Sequence, residues 1–243
     1  MIGLDRPLRP SWIYETLKMV EIGAKPSIYN EPFEDIAKEL VGKEGKRKVR
    51  TVIFRTYIYS FQKKRTKVED NMFLQWVETQ SLNYLKPLFL WKIIMDYEIA
   101  RFITQKITKG VDHSGHISTP LLSKKLVQEY GDRDVVKRSL RSFMATLVHF
   151  GVLSQEDKNN YIVLPKETIS AEQVRDLFLL YGSSFLESEI IDLQNIPKEF
   201  FYFFESVDMT SVAQEFNGEY WEYIREVERD VLMVKGGRYA LKS

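Results

Sequence analysis

The chain has 243 residues, 44% hydrophobic and 13% aromatic, which is enough apolar material for a buried core and excludes a disordered tail. Its net charge of +1 conceals a polarity: residues 1–67 hold 15 Lys/Arg against 8 Asp/Glu, residues 68–166 hold 13 against 11, and residues 167–243 hold 7 against 15. Cysteine is absent, which excludes disulfides, a thiolate zinc site and a cysteine nucleophile and fits a reducing compartment.

Residues 1–9 read as an extended arm. Arg6 and Arg9 are followed by Trp12 and Glu15 rather than by a long apolar run, so no signal peptide is expected. Ser11 after Pro10 opens a first helix carrying Trp12, Ile13, Leu17 and Val20. A second helix is predicted after Pro32, with Phe33, Ile36, Ala37 and Leu40 on one side, closing in Gly42-Lys43-Glu44-Gly45. From Lys43 to Lys67 there are ten basic residues and one acid, Glu44. On a helix, Val49, Val52, Ile53, Thr56 and Ser60 face the core while Arg47, Lys48, Arg50, Thr51 and Arg55 face out. Phe54, Tyr57, Tyr59 and Phe61 lie among these charges, and cations beside rings suit a phosphate backbone with exposed bases. For Tyr57 and Phe61 the helical spacing favours plain core packing; the charge density favours an anionic partner.

Thr66-x-x-Glu69 is a capping box, predicted to open a helix through Val68, Met72, Phe73, Trp76 and Val77 to about Asn83. Pro87 is read as the start of the next helix. Its apolar residues, from Leu88 to Ile103, wrap most of the circumference, as in the buried central helix of a basic helical bundle over residues 1–110. The run Tyr84–Met95 is broken by Lys86, Pro87 and Lys92 and falls short of the ~20 residues of a bilayer crossing, so no membrane partner and a cytoplasmic location are expected.

After a Gly110–Gly115 hinge, residues 111–166 read as a winged helix-turn-helix. Thr119 caps a helix with Pro120 at its first position, and Leu121, Leu122, Leu126 and Val127 recur at helical spacing up to Tyr130-Gly131. Asp132 is the expected cap of the second helix, whose Val136, Leu140, Phe143, Leu147 and Phe150 share one arc. Gly151 stops it. Val152-Leu153, the polar SQEDKNN turn and Tyr161–Leu164 then form a hairpin wing. With that arc inward, Lys137, Arg138, Arg141, Ser142, Ala145 and His149 turn outward, and Arg133 stands at the helix start. Small residues at 142 and 145 predict close approach to a grooved partner. Double-stranded DNA is the expected ligand, with the second helix in the major groove. A charged face that only solvates a protein-interaction module is the competing reading.

Residues 167–243 are acidic and aromatic. Ser170-x-x-Gln173 is a capping box for a helix carrying Val174, Leu177, Phe178 and Tyr181 and stopped by Gly182. Phe200 to Phe204 must be buried in this chain or against a partner. Ser211–Phe216 forms a short helix, Tyr220, Tyr223, Ile224, Val227 and Val231 predict another, and Leu232–Val234 is expected to pair with Tyr239–Leu241. That order is a second, degenerate winged helix. Its acids, Glu219, Glu222, Glu226, Glu228 and Asp230, would repel DNA and suit protein contact instead.

No catalytic motif is present. Gly42-x-x-Gly45-Lys46-Arg47 is too short for a phosphate-binding loop, and Gly-x-Ser-x-Gly is absent. Asp112, His113 and His116 offer at most part of a metal site, and Glu187, Glu189 and Asp192 read as the wet face of a helix, so neither a cofactor nor a metal is expected. LRPSWIYE near the start, LKPLFLWKIIMDYEIARF in the middle and RSFMATLVHFGVL before the wing resemble the BrxA family, small accessory proteins of bacterial BREX phage-exclusion systems with a NusB-like helical region. The resemblance covers most of residues 10–165 and leaves the acidic third unmatched. It implies a non-enzymatic, DNA-binding component of antiviral defence that works beside larger subunits, here contacted through the acidic C-terminal region. A protein-interaction adaptor and an RNA-binding protein are the alternatives. The site residues expected for nucleic acid are Arg47, Lys48, Arg50, Arg55, Arg133, Lys137, Arg138, Arg141 and Ser142.

Overall fold

The computed structural model describes residues 3–21, 26–59, 71–110, 115–205, 207–227 and 229–235. The protein is mainly helical, with ten α-helices and eight short strands among those residues. Helix α1 (Pro10–Lys18) begins on Pro10, whose missing N–H falls where no helical partner exists. Helix α2 (Asn30–Ile36) starts two residues before Pro32 rather than after it; the ring is accommodated in the first turn for the same reason. Helix α3 (Lys43–Ile53) grows out of the Gly42–Gly45 segment expected to be a loop and runs on through a π-helical turn, Phe54–Ile58. Val49, Val52, Ile53, Thr56 and Tyr57 are buried as their spacing predicts. Ser60, Phe61 and the Thr66/Glu69 capping box lie outside the described residues.

Helix α4 (Met72–Thr79) is capped by Asn71, whose side chain accepts from the N–H groups of Phe73 and Leu74. Helix α5 (Leu82–Asp96) is capped by Ser81, so Pro87 lies inside a helix it was expected to open, at the loss of one backbone hydrogen bond. Almost every residue of α5 from Leu85 to Met95 is buried, the central position foreseen for it. Tyr97 is extended and breaks the run, leaving Ile99, Phe102 and Ile103 to α6 (Glu98–Gly110).

Helix α6 leads into β1 (His116–Ser118), α7 (Thr119–Tyr130), α8 (Asp134–His149), β2 (Leu153–Gln155) and β3 (Asn160–Val163). The strands form an antiparallel sheet in the order β1-β3-β2, with Ile117 opposite Tyr161 and Ser154 opposite Ile162. Two caps differ from expectation. Ser118 precedes α7, while Thr119 donates its hydroxyl to the Asn159 carbonyl at 2.6 Å. Arg133 precedes α8, and Asp132 instead makes an ion pair with Lys137 at 2.5 Å.

Beyond β4 (Glu167–Thr168), helix α9 (Ala171–Tyr181) carries the predicted capping box: the Ser170 hydroxyl accepts from the Gln173 N–H at 3.3 Å and the Gln173 side-chain oxygen from the Ser170 N–H at 2.9 Å. Then follow β5 (Ile190–Asp192), two 3₁₀ turns, β6 (Phe204–Glu205), α10 (Met209–Glu215), β7 (Trp221–Arg225) and β8 (Asp230–Val234). Glu187, Glu189 and Asp192 thus belong to a turn and a strand instead of a helix. The helix predicted from Tyr220 to Val231 is a hairpin. Trp221, Tyr223 and Ile224 are strand formers, and Trp221 is fully buried with its indole N–H on the Ala213 carbonyl at 2.8 Å. Strand β8 is central in the order β5-β8-β7, so Leu232–Val234 pair with β7 and β5; Tyr239–Leu241 lie outside the described residues. Both three-stranded sheets therefore have the same antiparallel order: first strand, third, second.

One apolar cluster joins all of this, from Leu4 to Val234. Phe200, Phe203 and Phe204 are buried within the chain; Trp91 of α5 lies 5.5 Å from the Phe204 ring and donates its indole N–H to the Phe200 carbonyl.

Candidate functional site

The most organised basic surface is built by α7, α8 and the β2–β3 turn. Its turn is rigid for a local reason. Asp157 accepts from the backbone N–H groups of Asn159 and Asn160 at 2.7 and 3.0 Å and from the Asn160 amide at 2.8 Å, and these bonds, Asn159 first, hold its carboxyl below the usual carboxylate range. The turn is also tied to α7, since the Thr119 N–H donates to the Asn159 carbonyl at 2.8 Å. Lys158 is thereby held opposite α8. Between them lies a groove of about 520 Å³ lined by Thr119, Ser123, Lys137, Arg141, Lys158 and Tyr161 among others, with no carboxylate in its lining. Lys137, Arg138 and Arg141 are exposed on α8. Lys137 bonds Asp132, and that hydrogen bond raises its pKa; an exposed pair of this kind is screened by solvent and yields readily to a better anion. Arg133 is exposed too, with its Nε–H on the Tyr130 carbonyl at 3.0 Å.

Ser142 is not part of this surface. It is 5% exposed, on the same side of α8 as Ser139 and Thr146, and that side receives the chain's own N-terminal arm. The Leu8 N–H donates to Thr146 Oγ1 at 3.0 Å, and a Cβ added to Gly3 would stand 2.0 Å from Ser139 Oγ. The close approach inferred from small residues exists, but the approaching segment is intramolecular. His149 is exposed at the end of the helix as expected, with its ring 6.5 Å from Trp12 of α1; partial burial of the imidazole and the charge of Arg9 lower its pKa.

On α3, Arg47 and Lys48 are exposed and lie 2.9 and 3.9 Å from Glu44 of the same helix. Arg50 is half-buried, and burial lowers its pKa. Arg55 points back into the molecule: it pairs with Asp5 at 3.1 Å and with the Tyr97 hydroxyl at 3.1 Å, its guanidinium 5.6 Å from the Tyr97 ring. Its role is to clasp the arm, which corrects the expectation of an outward contact. Lys158, by contrast, was missed by sequence reasoning, although the SQEDKNN turn that presents it was legible.

Among the described residues no cluster of three His, Asp or Glu could hold a metal; His116 bonds Glu156 at 2.8 Å, and Asp112 and His113 lie outside those residues. None of the described helices is long and apolar enough to cross a membrane. No protein family, curated protein or solved structure matches the chain.

Proposed function

We propose that the protein is a non-enzymatic nucleic-acid-binding protein that docks duplex DNA on α8 and the β2–β3 turn. Residues 98–163 are read as a winged helix: α6, β1, α7, α8 and the hairpin follow one another in that motif's order, and α8 is its recognition helix. The single observation that carries the reading is the groove lined by Lys137 and Arg141 of α8 together with Lys158 of the wing. Lys137, Arg138 and Arg141 enter or straddle the groove of the duplex, while Arg47 and Lys48 are further cations available to the backbone. Contacts of this kind are to phosphates, so binding is weakly sequence-specific and strongly salt-dependent. The resemblance of its sequence stretches to the BrxA family supports a role in a BREX-type phage-defence complex in the cytoplasm, beside subunits that carry the enzymatic work. The second sheet unit, with its matching strand order and acidic composition, is a degenerate winged helix suited to protein contact.

The test is fluorescence anisotropy with a labelled duplex of random sequence. Six or more phosphate contacts predict a loss of about a thousandfold in affinity between about 50 and 200 mM salt. Lys137→Glu/Arg141→Glu is expected to abolish this binding, and single-stranded RNA to compete poorly. Absence of duplex binding by the wild type at the lower salt sinks the proposal; RNA outcompeting the duplex transfers it to the RNA reading.

A further inference from the structure

Two outward surfaces of opposite charge each have an apolar centre. The first is a face of the sheet β5-β8-β7. Ile190 and Met233 are direct cross-strand partners and are 56% and 42% exposed, with Glu222 opposite Met233 on the other flank. Side chains that oppose each other across antiparallel strands share a face and touch, so these three form one exposed strip. Glu189 and Glu226, both exposed, border it. The second surface is the start of α3. Val41 is 97% exposed, and Lys43, Arg47 and Lys48 are exposed immediately after it.

Among the described residues, the ion pairs of these two surfaces are local. The ion pairs of Arg47 and Lys48 are with Glu44, that of Arg55 is with Asp5, and Glu226 pairs with Arg229 at 2.5 Å. Among the described residues, one ion pair links the first 166 residues to the acidic third, Lys86 with Glu167 at 2.7 Å. The ion pairs of Arg47 and Lys48 thus stay within α3 and that of Glu226 within its own turn, and exposed pairs of this kind yield to a partner of the opposite sign.

We propose that the occupant of the sheet face is a second copy of this chain, docked head to tail through its Val41–Lys48 surface. Val41 packs against Ile190 and Met233 while Arg47 and Lys48 face Glu222 and the acidic border. The two surfaces differ, so the contact is heterologous: a dimer leaves one surface of each kind uncovered, and association continues into longer chains. Exposed apolar strips rimmed by charge are features of interaction sites, and opposite charge supplies register and encounter rate. This inference does not rest on the nucleic-acid reading.

Sedimentation velocity on the full chain, without nucleic acid, tests it. Two variants each block one surface, Met233→Glu and Arg47→Glu/Lys48→Glu; all positions changed are exposed, and circular dichroism checks that both variants fold. The wild type is expected to gain mass with concentration at about 50 mM salt and to associate about tenfold more weakly at about 500 mM. Each variant alone stays monomeric. Mixed in equal amounts they form a dimer and stop there, because each supplies the surface the other lacks. A wild type that remains monomeric at about 200 μM and low salt overturns the proposal, that concentration being well above a micromolar dissociation constant. So does variant association equal to that of wild type, or a mixture that stays monomeric while the wild type associates, which indicates a self-complementary contact.

Discussion

Single residues fix the arm that closes the N-terminal half. Gly3 has no Cβ, and the space a Cβ needs is taken by Ser139, whose hydroxyl donates to the Val135 carbonyl at 2.7 Å. Gly3→Val is expected to destabilise the protein by about 1–3 kcal/mol in urea unfolding, the range for overpacking a close contact. A sharper case is Asp176, 1% exposed, which accepts from Arg175 and from the Tyr84 hydroxyl at 2.8 and 2.7 Å. Burial raises its pKa, and Arg175 lies between the Phe216 and Tyr220 rings at 5.1 and 4.7 Å. Asp176→Leu strands that guanidinium away from water and is expected to destabilise by about 3–5 kcal/mol, whereas Arg138→Ala, on the exposed face, stays within about 0.5 kcal/mol of wild type. His149 gives a pH signature. Its folded-state pKa lies below the ordinary 6.5, so unfolding takes up a proton as the pH falls through that region; its contribution is complete above pH 6.5 and declines below it. Unfolding measured from pH 8 to about pH 5 is expected to show this acid-side loss reduced in His149→Gln, and an unchanged profile in the variant removes His149 as its source.

At the scale of elements, legibility followed the local nature of the signal. The capping box at Ser170 and Gln173 could be read because both partners lie within four residues, and Gln173 adds a bond the sequence does not reveal, from its amide to the Tyr84 carbonyl at 2.7 Å. Ser170→Ala is expected to lose about 1 kcal/mol in thermal or urea unfolding, while Gln173→Ala loses more because it also removes the amide bond to the Tyr84 carbonyl. The hairpin at 221–234 was misread for the converse reason. Tyr220, Tyr223, Ile224, Val227 and Val231 fit a helical period, but Trp221 is the residue that decides, and it is fixed by the Ala213 carbonyl and by packing 5.9 Å from Phe178, neither of which is local. Pro87 misled similarly, since a proline in a helix interior is rare enough to read as a start. On α8 the apolar arc was visible and the cationic face followed from it. The burial of Ser142 did not, because it depends on the arm about 140 residues earlier in the chain crossing that side of the helix.

For the whole molecule, composition divided the chain at about residues 110 and 166, but the apolar cluster crosses both positions. Trp91 and Phe89 of α5 are fully buried in it, and the aromatic run of the acidic third packs on Trp91 while Leu147 of α8 and Phe150 just beyond that helix are buried in the same cluster. Charge is a property of surfaces, so a boundary read from charge need not be a boundary of packing. The consequence is that the basic, winged and acidic segments stand or fall together. Tryptophan fluorescence, dominated by residues buried in α1, α4, α5 and β7, and far-ultraviolet circular dichroism, dominated by helices, are expected to follow one coincident urea transition. Removing residues 167–243 then does more than take away acidic charge. It strips the cover from Trp91, takes away the Phe200 carbonyl that its indole N–H bonds, and leaves Tyr84 without Asp176. The truncated chain is expected to lose its cooperative transition, so any difference in its binding behaviour would report unfolding rather than the loss of acidic charge. Two separate transitions in the full chain, or a truncated chain that melts as sharply as the whole, would show instead that the shared core contributes little and that the segments fold on their own.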